Sequence, residues 1–268
     1  MEWKNWPRIP GPSQLDMIQA GDHGPPVVLI HGVGLRADTW GAQIETLAQD
    51  YRVYAFDTPG RGGSAPVGEN PTLADYTDRF AEAIATLDEP ALVAGHSMGA
   101  LIVLDLGIRY PALVSGVAAL NGVFRRSDAA KKGAQGRAAD LTAGKSADLG
   151  ATLPRWFGDT PTGAYKSAME ACREWLLGAE HTGYAKAYTV FAHADGPPTD
   201  DLAAMQCPAL ILTGEHETGS TPAMSREMAR IAPNAECYIM ADANHMLPMT
   251  HPDETNRVLL DFFARCTG

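Results

Sequence analysis

The sequence lacks any apolar run that approaches the roughly 18 residues of a membrane span. We therefore predict a protein that does not enter a membrane. Basic residues are also few, because 21 Lys and Arg stand against 32 Asp and Glu, which leaves a net charge of −11. Nucleic acid and anionic membranes both attract a basic surface, so the charge argues against either as a partner.

Cysteine is scarce as well. The four cysteines form no C-x-x-C pair and show no zinc-ligand spacing; they are Cys172, Cys207, Cys237 and Cys266. No cluster of His, Asp and Glu with metal-ligand spacing is visible either, so we predict no metal and no other cofactor. The N-terminus has no apolar segment typical of a secretory signal. We expect a cytoplasmic protein with free thiols.

What the chain does contain is an alternation of short apolar runs and helix-like segments. Its 268 residues allow one large α/β domain or two small ones. Strands alternating with helices predict a mostly parallel sheet with helices on both faces. The predicted strands are 14–20, 26–30, 51–56, 91–94, 113–120, 209–213 and 235–240, and the predicted helices are 39–49, 72–87, 100–106, 222–231 and 252–264.

The alternation stops in the middle of the chain. Residues 124–194 contain no strand-like apolar run, but amphipathic segments occur at 138–149, 164–177 and 184–191. Some 70 residues are too many for a plain loop, so we predict a helical cap inserted into a core formed by 1–123 and 195–268. A basic cluster at 125–137 is interleaved with Ala and Gly, which predicts the exposed face of a helix.

The strongest signal for function is the pentapeptide Gly95-His96-Ser97-Met98-Gly99, which reads G-x-S-x-G. It follows an apolar strand and precedes a helix, which is the context of a nucleophile elbow. Such a turn holds the serine in a strained conformation at the carboxyl edge of the sheet, where ligands of α/β folds bind. We therefore predict Ser97 as a catalytic nucleophile.

A serine hydroxyl needs a base, and histidine has a suitable pKa. His245 follows the strand at 235–240, so it lies at the same sheet edge as Ser97. A carboxylate must orient the imidazole. Glu217 and Glu215 both follow the strand at 209–213; we favour Glu217 because it lies further into the loop, and Glu215 stays open.

Acyl transfer also requires two donors for an oxyanion. Met98 follows the nucleophile and supplies one N–H, and Val33 in His31-Gly32-Val33-Gly34 supplies the other. We expect His31 to stabilise its turn and His96 to pack. Five residues are candidates for substrate contact, with core packing as the alternative for the four that have side chains: Gly32, Leu35, Trp156, Phe157 and Met246.

Taken together, these segments resemble the serine hydrolase branch of the α/β-hydrolase fold over nearly the whole chain. The matching segments are His31–Gly34, Asp57–Ser64, Gly95–Gly99, Gly214–Pro222 and Asn244-His245. The resemblance implies an eight-stranded sheet, a cap after the sixth strand and a structural role for Asp57. The family usually has Asp as the triad acid, so Glu217 is a departure.

The segments Thr152–Phe157 and Gly183–Tyr188 resemble the cap of 3-oxoadipate enol-lactonases and related small-ester hydrolases. That resemblance implies hydrolysis of a small carboxylic ester or lactone through an acyl-enzyme. Three alternatives share the scaffold: hydrolysis of a carbon–carbon bond in a vinylogous diketone, a ligand receptor, and cofactor-free oxygen chemistry. The sequence leaves the substrate and the formation of a homo-oligomer open.

Overall fold

One sheet of eight strands organises the chain in the computed structural model, which describes residues 3 and 5–267. The strand order is β1-β2-β4-β3-β5-β6-β7-β8. β1 and β2 pair antiparallel, β2 also joins β4 antiparallel, and the remaining strands are parallel. This confirms the predicted mostly parallel sheet. The strands are β1 Ile9–Pro10, β2 Asp16–Ala20, β3 Pro26–Ile30, β4 Arg52–Phe56, β5 Ala91–His96, β6 Val114–Leu120, β7 Ala209–Gly214 and β8 Ala235–Met240.

Helices cover both faces of the sheet because successive strand residues point to opposite sides. The helices are α1 Gly41–Leu47, α2 Leu73–Ile84, α3 Met98–Arg109, α4 Asp128–Thr142, α5 Leu149–Phe157, α6 Gly163–Leu177, α7 His181–His193, α8 Thr199–Ala204, α9 Pro222–Ile231, α10 Leu247–Thr250 and α11 Pro252–Thr267. In β3, Val28 and Ile30 pack on the face covered by α2, α3 and α9, and Val27 and Leu29 pack on the face covered by α1 and α11. Two short 3-10 helices occupy Pro12–Gln14 and Ala37–Trp40.

Four helices, α4 to α7, lie between β6 and the segment that leads to β7, and we call them the cap. The segment predicted at 138–149 was wrong in its bounds, because α4 starts at Asp128 and a separate helix, α5, starts at Leu149. The buried residues of α4 are Ala134, Ala138 and Leu141. A face built mainly from alanine gives weak hydrophobic periodicity, so the pattern hid the first turns of α4.

The two ends of the cap are joined by Arg126, which the sequence analysis wrongly placed on an exposed helix face. Arg126 is 6% exposed. Its Nε donates to Oδ1 of Asp195 at 3.0 Å, and its Nη2 donates to the carbonyls of Phe191 and Ala192. One buried guanidinium therefore ties the start of the cap to its end.

The carboxyl ends of the parallel strands bring the polar residues of the next section to one edge. His31 follows β3, Ser97 follows β5, Asn121 follows β6, Glu217 lies in the loop after β7, and His245 lies in the loop after β8. The loops that leave a parallel sheet at this edge form its ligand-binding crevice. The fold thus gathers side chains that are up to 214 positions apart, from His31 to His245.

Within the described residues, no helix combines the length and the apolar character that a membrane crossing requires. The four cysteines are free thiols, as predicted. Cys172 is buried in the cap, and burial raises the pKa of its thiol well above the ordinary value. The buried thiol is therefore uncharged and packs as a small apolar side chain.

Candidate active site

The turn after β5 holds Ser97 in a strained backbone conformation. Ser97 has φ 57° and ψ −113°, a combination that only a well-supported turn maintains. Its N–H donates to the carbonyl of Leu120 at 2.8 Å, which anchors the turn to β6. A Cβ on residue 95 would lie 2.0 Å from the carbonyl oxygen of Gly99, so glycine is required there. The result is a partly exposed serine at the carboxyl edge of the sheet.

The loop after β3 packs directly against this turn. A Cβ on Gly32 would lie 3.0 Å from the Cβ of Ser97. The N–H groups of Val33 and Met98 donate to no protein acceptor within residues 3 and 5–267. The N–H of Met98 also opens α3, and the N-terminus of a helix attracts negative charge. Two unpartnered donors therefore lie in the segments that adjoin the serine, as an oxyanion site requires.

The loop after β8 brings His245 against the loop after β7. The Nδ1 of His245 lies 2.5 Å from Oε2 of Glu217, and Oε1 of Glu217 accepts the N–H of Gly219 at 2.6 Å. Because Nδ1 donates to the carboxylate, Nε2 of the neutral imidazole is free to accept a proton. The structure brings Glu217 to His245 rather than Glu215, which is exposed and accepts the N–H of Asp242 at 3.2 Å.

Glu217 keeps its charge in spite of being 4% exposed. Burial raises the pKa of the Glu217 carboxyl, but the charge and hydrogen bond of His245 and the N–H of Gly219 outweigh burial and hold that pKa well below its ordinary value. The guanidinium of Arg155 acts in the same direction. A carboxylate in this position fixes the Nδ1 tautomer of His245 and stabilises the imidazolium that forms on protonation.

The imidazole of His245 lies next to the turn that carries Ser97. Its ring centroid is 4.7 Å from that of His96, the residue before the serine, and Nε2 of His96 donates to the carbonyl of His245 at 2.9 Å. Within the part of the chain that the structure describes, the hydroxyl of Ser97 has no hydrogen-bond partner. Hydrogen bonds between nucleophile and base are often long in substrate-free enzymes and tighten in the substrate complex.

Two other histidines of this edge are fully buried and uncharged. Burial lowers the pKa of His96 to about 3 and that of His31 to about 4. His31 donates from Nδ1 to the carbonyl of Gly32 at 2.7 Å, and its Nε2 accepts the N–H of Thr58 at 2.9 Å. These bonds tie together the loops around Ser97, and they leave neither ring nitrogen of His31 available to a substrate.

Asp57, which the sequence resemblance implied to be structural, forms a similar brace. Its Oδ1 accepts the N–H of Ala37 at 2.7 Å, and its Oδ2 accepts Nε of Arg8 at 2.7 Å. The same guanidinium donates to Asp38, so one arginine joins the N-terminal segment to two loops of the core. Arg8 was not singled out in the sequence, since nothing in its neighbourhood distinguishes it from an exposed arginine.

The candidate pocket residues with side chains gather in one apolar cluster between cap and core. Leu35, Trp156, Phe157 and Met246 are all buried in it, together with Leu153 and Leu176. The indole of Trp156 stacks on the imidazole of His245, with centroids 5.3 Å apart and planes at 26°. The cap therefore contributes directly to the surroundings of His245.

One residue that the sequence analysis did not single out contacts the carboxylate. Asn121 is 1% exposed, and its Nδ2 donates to Oε2 of Glu217 at 3.1 Å and to Oγ1 of Thr213 at 3.2 Å. Its φ of 55° turns the chain directly after β6. The available signal was its place after a buried strand, the same signal that indicated Ser97.

The structure also brings Glu215, His216 and Asp242 together, with potential ligand atoms within 4.8 Å of one another. Two separate loops supply the three residues, so no spacing in the sequence indicated the group, and the expectation that the chain holds no metal stays a prediction. All three are exposed, and exposed acidic groups commonly gather without an ion. Nothing else among the described residues indicates that an ion binds here.

Known proteins resemble this chain in sequence. The chain is 38% identical over 237 residues to the (E)-2-((N-methylformamido)methylene)succinate hydrolase of Acinetobacter baylyi, covering 88% of this chain and 89% of that protein. It is 27% identical over 249 residues to 3-oxoadipate enol-lactonase 1 of the same organism, with 91% of each chain covered. The likeness to each extends over nearly the full length of both proteins.

A solved structure with the same architecture is the enol-lactonase from Burkholderia xenovorans LB400. It superposes with a TM-score of 0.84 at 25% identity, covering 96% of this chain and all of that chain. The family model described as the alpha/beta hydrolase family matches residues 27–258, which include Ser97, Glu217 and His245. The chain therefore belongs to the α/β-hydrolase family.

Proposed function

We propose that the protein is a serine hydrolase that transfers a small acyl group to water through Ser97. The observation that carries the proposal is the 2.5 Å contact between Nδ1 of His245 and Oε2 of Glu217, at the sheet edge that presents Ser97. Because Glu217 holds the proton of His245 on Nδ1, Nε2 is the free base that a serine nucleophile needs. The chain order of Ser97, Glu217 and His245 is the order found in hydrolases of this fold.

The reaction proceeds in two acyl transfers. Oγ of Ser97 attacks the substrate carbonyl carbon while Nε2 of His245 takes the hydroxyl proton, and the N–H groups of Val33 and Met98 hold the oxyanion. The tetrahedral intermediate collapses, the bond to the leaving group breaks, and His245 returns the proton to that group. Water then attacks the acyl-enzyme with His245 as base, which releases the acid and restores Ser97.

The names of two relatives suggest the class of substrate. An enol-lactone is an ester whose alcohol oxygen sits on a carbon–carbon double bond, and a formamidomethylene compound carries its acyl nitrogen on such a bond. Cleavage of either acyl bond releases an enol or an enamine, which can tautomerise and so favours the products. Both names also describe derivatives of dicarboxylic acids. We extend this chemistry to a small carboxylate-bearing ester, lactone or enamide.

Arg155 supports a substrate that carries a carboxylate. It precedes Trp156, which stacks on His245, and its Nη1 lies 4.0 Å from the position of a Cβ on Gly219, beside the loop of Glu217. Within the described residues Arg155 has neither an ion pair nor a hydrogen bond. An exposed guanidinium at this position, with no hydrogen bond or ion pair to the described residues, can bind a substrate carboxylate in a bidentate manner.

The test is a panel of three substrates with the wild type and Ser97→Ala. The panel consists of 3-oxoadipate enol-lactone, (E)-2-((N-methylformamido)methylene)succinate and the neutral ester p-nitrophenyl acetate. We expect turnover of at least one acyl compound, labelling of Ser97 by a fluorophosphonate, and a loss of about 10⁴- to 10⁶-fold in kcat for Ser97→Ala.

Three results would contradict the proposal, each in favour of a different alternative. A vinylogous diketone is assayed as a fourth compound, and its cleavage without turnover of the three acyl compounds would indicate carbon–carbon hydrolysis. A single slow covalent event without turnover would indicate a receptor. Retention of most activity by Ser97→Ala would indicate chemistry that uses only His245 and Glu217.

A further inference from the structure

Arg61 lies at the junction of three parts of the molecule. It belongs to the loop after β4, and its guanidinium donates to three main-chain carbonyls. Nε donates to Leu35 at 2.8 Å, Nη2 donates to Trp175 at 2.7 Å, and Nη1 donates to Gly178 at 3.3 Å. Leu35 closes the loop that contains Val33, and the other two carbonyls end α6 of the cap. One side chain therefore bonds both to the oxyanion loop and to the cap.

No carboxylate lies within ion-pair distance of Arg61 in the described part of the chain, which distinguishes it from Arg8 and Arg126. Its hydrogen bonds among the described residues go to these carbonyls, and two of them belong to the negative end of the helix dipole of α6. If the cap moves away, the guanidinium loses its hydrogen bonds to the carbonyls of Trp175 and Gly178. The bond to Leu35 would then be the only one of the three that the core supplies.

The same region shows direct packing of the cap on the oxyanion loop. Gly34 has φ +74°, and a Cβ there would lie 2.7 Å from both Cδ2 of Leu176 and Cε2 of Tyr184. A Cβ on Gly183 would lie 2.2 Å from the carbonyl oxygen of Gly60, the residue before Arg61. Cap helices α6 and α7 thus rest on the loop of Arg61 and on the loop of Val33 at once.

We propose that Arg61 is a positioning residue that couples the seating of the cap to the geometry of the oxyanion donor Val33. The carbonyl of Leu35 is held by the guanidinium, and the guanidinium is held by the end of α6. The donor loop is therefore fully ordered only when α6 is in place. This inference rests on the proposed function in one respect, the assignment of Val33 as an oxyanion donor.

The test compares Arg61→Met, Arg61→Lys and the matched control Lys186→Met. Arg61→Met keeps the apolar stem and removes all three donors. Lys186 also joins cap to core, because its Nζ donates to the carbonyl of Gly68 at 3.0 Å, but it has no bond to the oxyanion loop. The control therefore loosens the cap without a direct effect on Val33.

We expect Arg61→Met to lower kcat for p-nitrophenyl acetate by about 30-fold with little change in KM, since a misplacement of about 1 Å can cost 100-fold in rate. Arg61→Lys should recover most of the loss, and Lys186→Met should stay within about 3-fold of wild type. Affinity for a boronic acid that mimics the tetrahedral intermediate should fall in parallel with kcat.

Hydrogen exchange supplies a readout that does not depend on catalysis. In Arg61→Met, the amide of Leu35, which donates to the carbonyl of Gly32 at 3.2 Å, and those of 174–178 should exchange faster together, and Lys186→Met should leave the Leu35 amide protected. Unchanged exchange of the Leu35 amide in Arg61→Met, or an equal loss of kcat in Lys186→Met, would overturn the coupling. If Arg61→Met fails to fold, Arg61→Gln is measured against the same criteria. A wild type without hydrolytic activity would refute the proposed function, and the exchange result would still decide the coupling.

Discussion

Replacement of Glu217 by Gln is the sharpest test of the candidate site, because three donors converge on this carboxylate. His245 donates from Nδ1 at 2.5 Å, Gly219 donates its N–H at 2.6 Å, and Asn121 donates from Nδ2 at 3.1 Å. A glutamine has one acceptor oxygen and one NH₂ group. Whichever way the amide is turned, its NH₂ group faces at least one of these donors.

The magnitude follows from the tautomer of His245. If the NH₂ group of the introduced glutamine faces Nδ1, the imidazole must carry its proton on Nε2 and can no longer accept the proton of Ser97. A wrong tautomer of this kind costs about 10⁴-fold in kcat, which corresponds to about 5.4 kcal/mol at about 1.36 kcal/mol for each factor of ten. If the amide is turned the other way, the N–H of Gly219 loses its acceptor and the loop of residue 217 shifts.

The assay measures kcat and KM for p-nitrophenyl acetate and the rate constant for fluorophosphonate labelling of Ser97. Both rates should fall by about 10³- to 10⁴-fold in Glu217→Gln with KM within about 3-fold of wild type. Glu215→Gln is the matched control, because Glu215 is exposed and its carboxylate, among the residues that the structure describes, accepts a hydrogen bond from the N–H of Asp242 alone. The reasoning is refuted if Glu217→Gln keeps more than a tenth of the activity, or if Glu215→Gln loses as much.

Three further predictions concern the turn, the pH dependence of stability and the substrate. Gly95→Ala places a Cβ 2.0 Å from the carbonyl oxygen of Gly99, and we expect a loss of more than about 4 kcal/mol in the free energy of unfolding. His31 and His96 have pKa values of about 4 and about 3 in the folded protein against 6.5 for an ordinary histidine. As the pH falls, both histidines take up a proton in the unfolded chain at a higher pH than in the folded protein. Acid therefore lowers the free energy of unfolding, by about 2 kcal/mol for each ring between pH 7 and pH 5. Arg155→Met should raise KM for a dicarboxylate substrate by about 10-fold and leave KM for p-nitrophenyl acetate unchanged.

Each of these has its own control. Gly136→Ala, in α4 with no atom within 4 Å of the added Cβ, should be neutral or slightly stabilising, so a similar loss there would contradict the steric argument. Urea unfolding at pH 7 and pH 5 measures the second prediction, and an unchanged midpoint would contradict it. A parallel rise of KM for the neutral ester in Arg155→Met would show that the arginine shapes the pocket without binding a carboxylate.

The sheet and the site were predictable where local chemistry decides the structure. The wholly apolar run of β3 and its closing glycines identified a buried strand, and G-x-S-x-G after another strand identified Ser97. His245 followed from its place after the strand that became β8. In each case the position at the sheet edge follows from the segment of chain around the residue.

The contacts that could not be predicted depend on groups far apart in sequence. Asn121 reaches Glu217 across 96 positions, and Arg126 reaches Asp195 across 69. A buried arginine and an exposed one look alike in a sequence, since their partners decide their burial. The bounds of α4 were predicted wrongly for a different reason: its buried face is mainly alanine, and small side chains pack closely without giving a strong hydrophobic pattern.

The hydrogen bonds by which Arg126 joins the two ends of the cap have a consequence for engineering. The N–H of Arg126 donates to Oδ1 of Asp195 at 2.9 Å, and the N–H of Arg125 donates to the carbonyl of Asp195 at 3.1 Å, so the inserted helices leave and rejoin the sheet side by side. A segment whose two ends meet can be exchanged as a unit without stretching the strands on either side. Transplants from other hydrolases should therefore be joined between residues 126 and 195, with both of these retained, so that the inserted helices can be changed while the core that carries Ser97, Glu217 and His245 is kept.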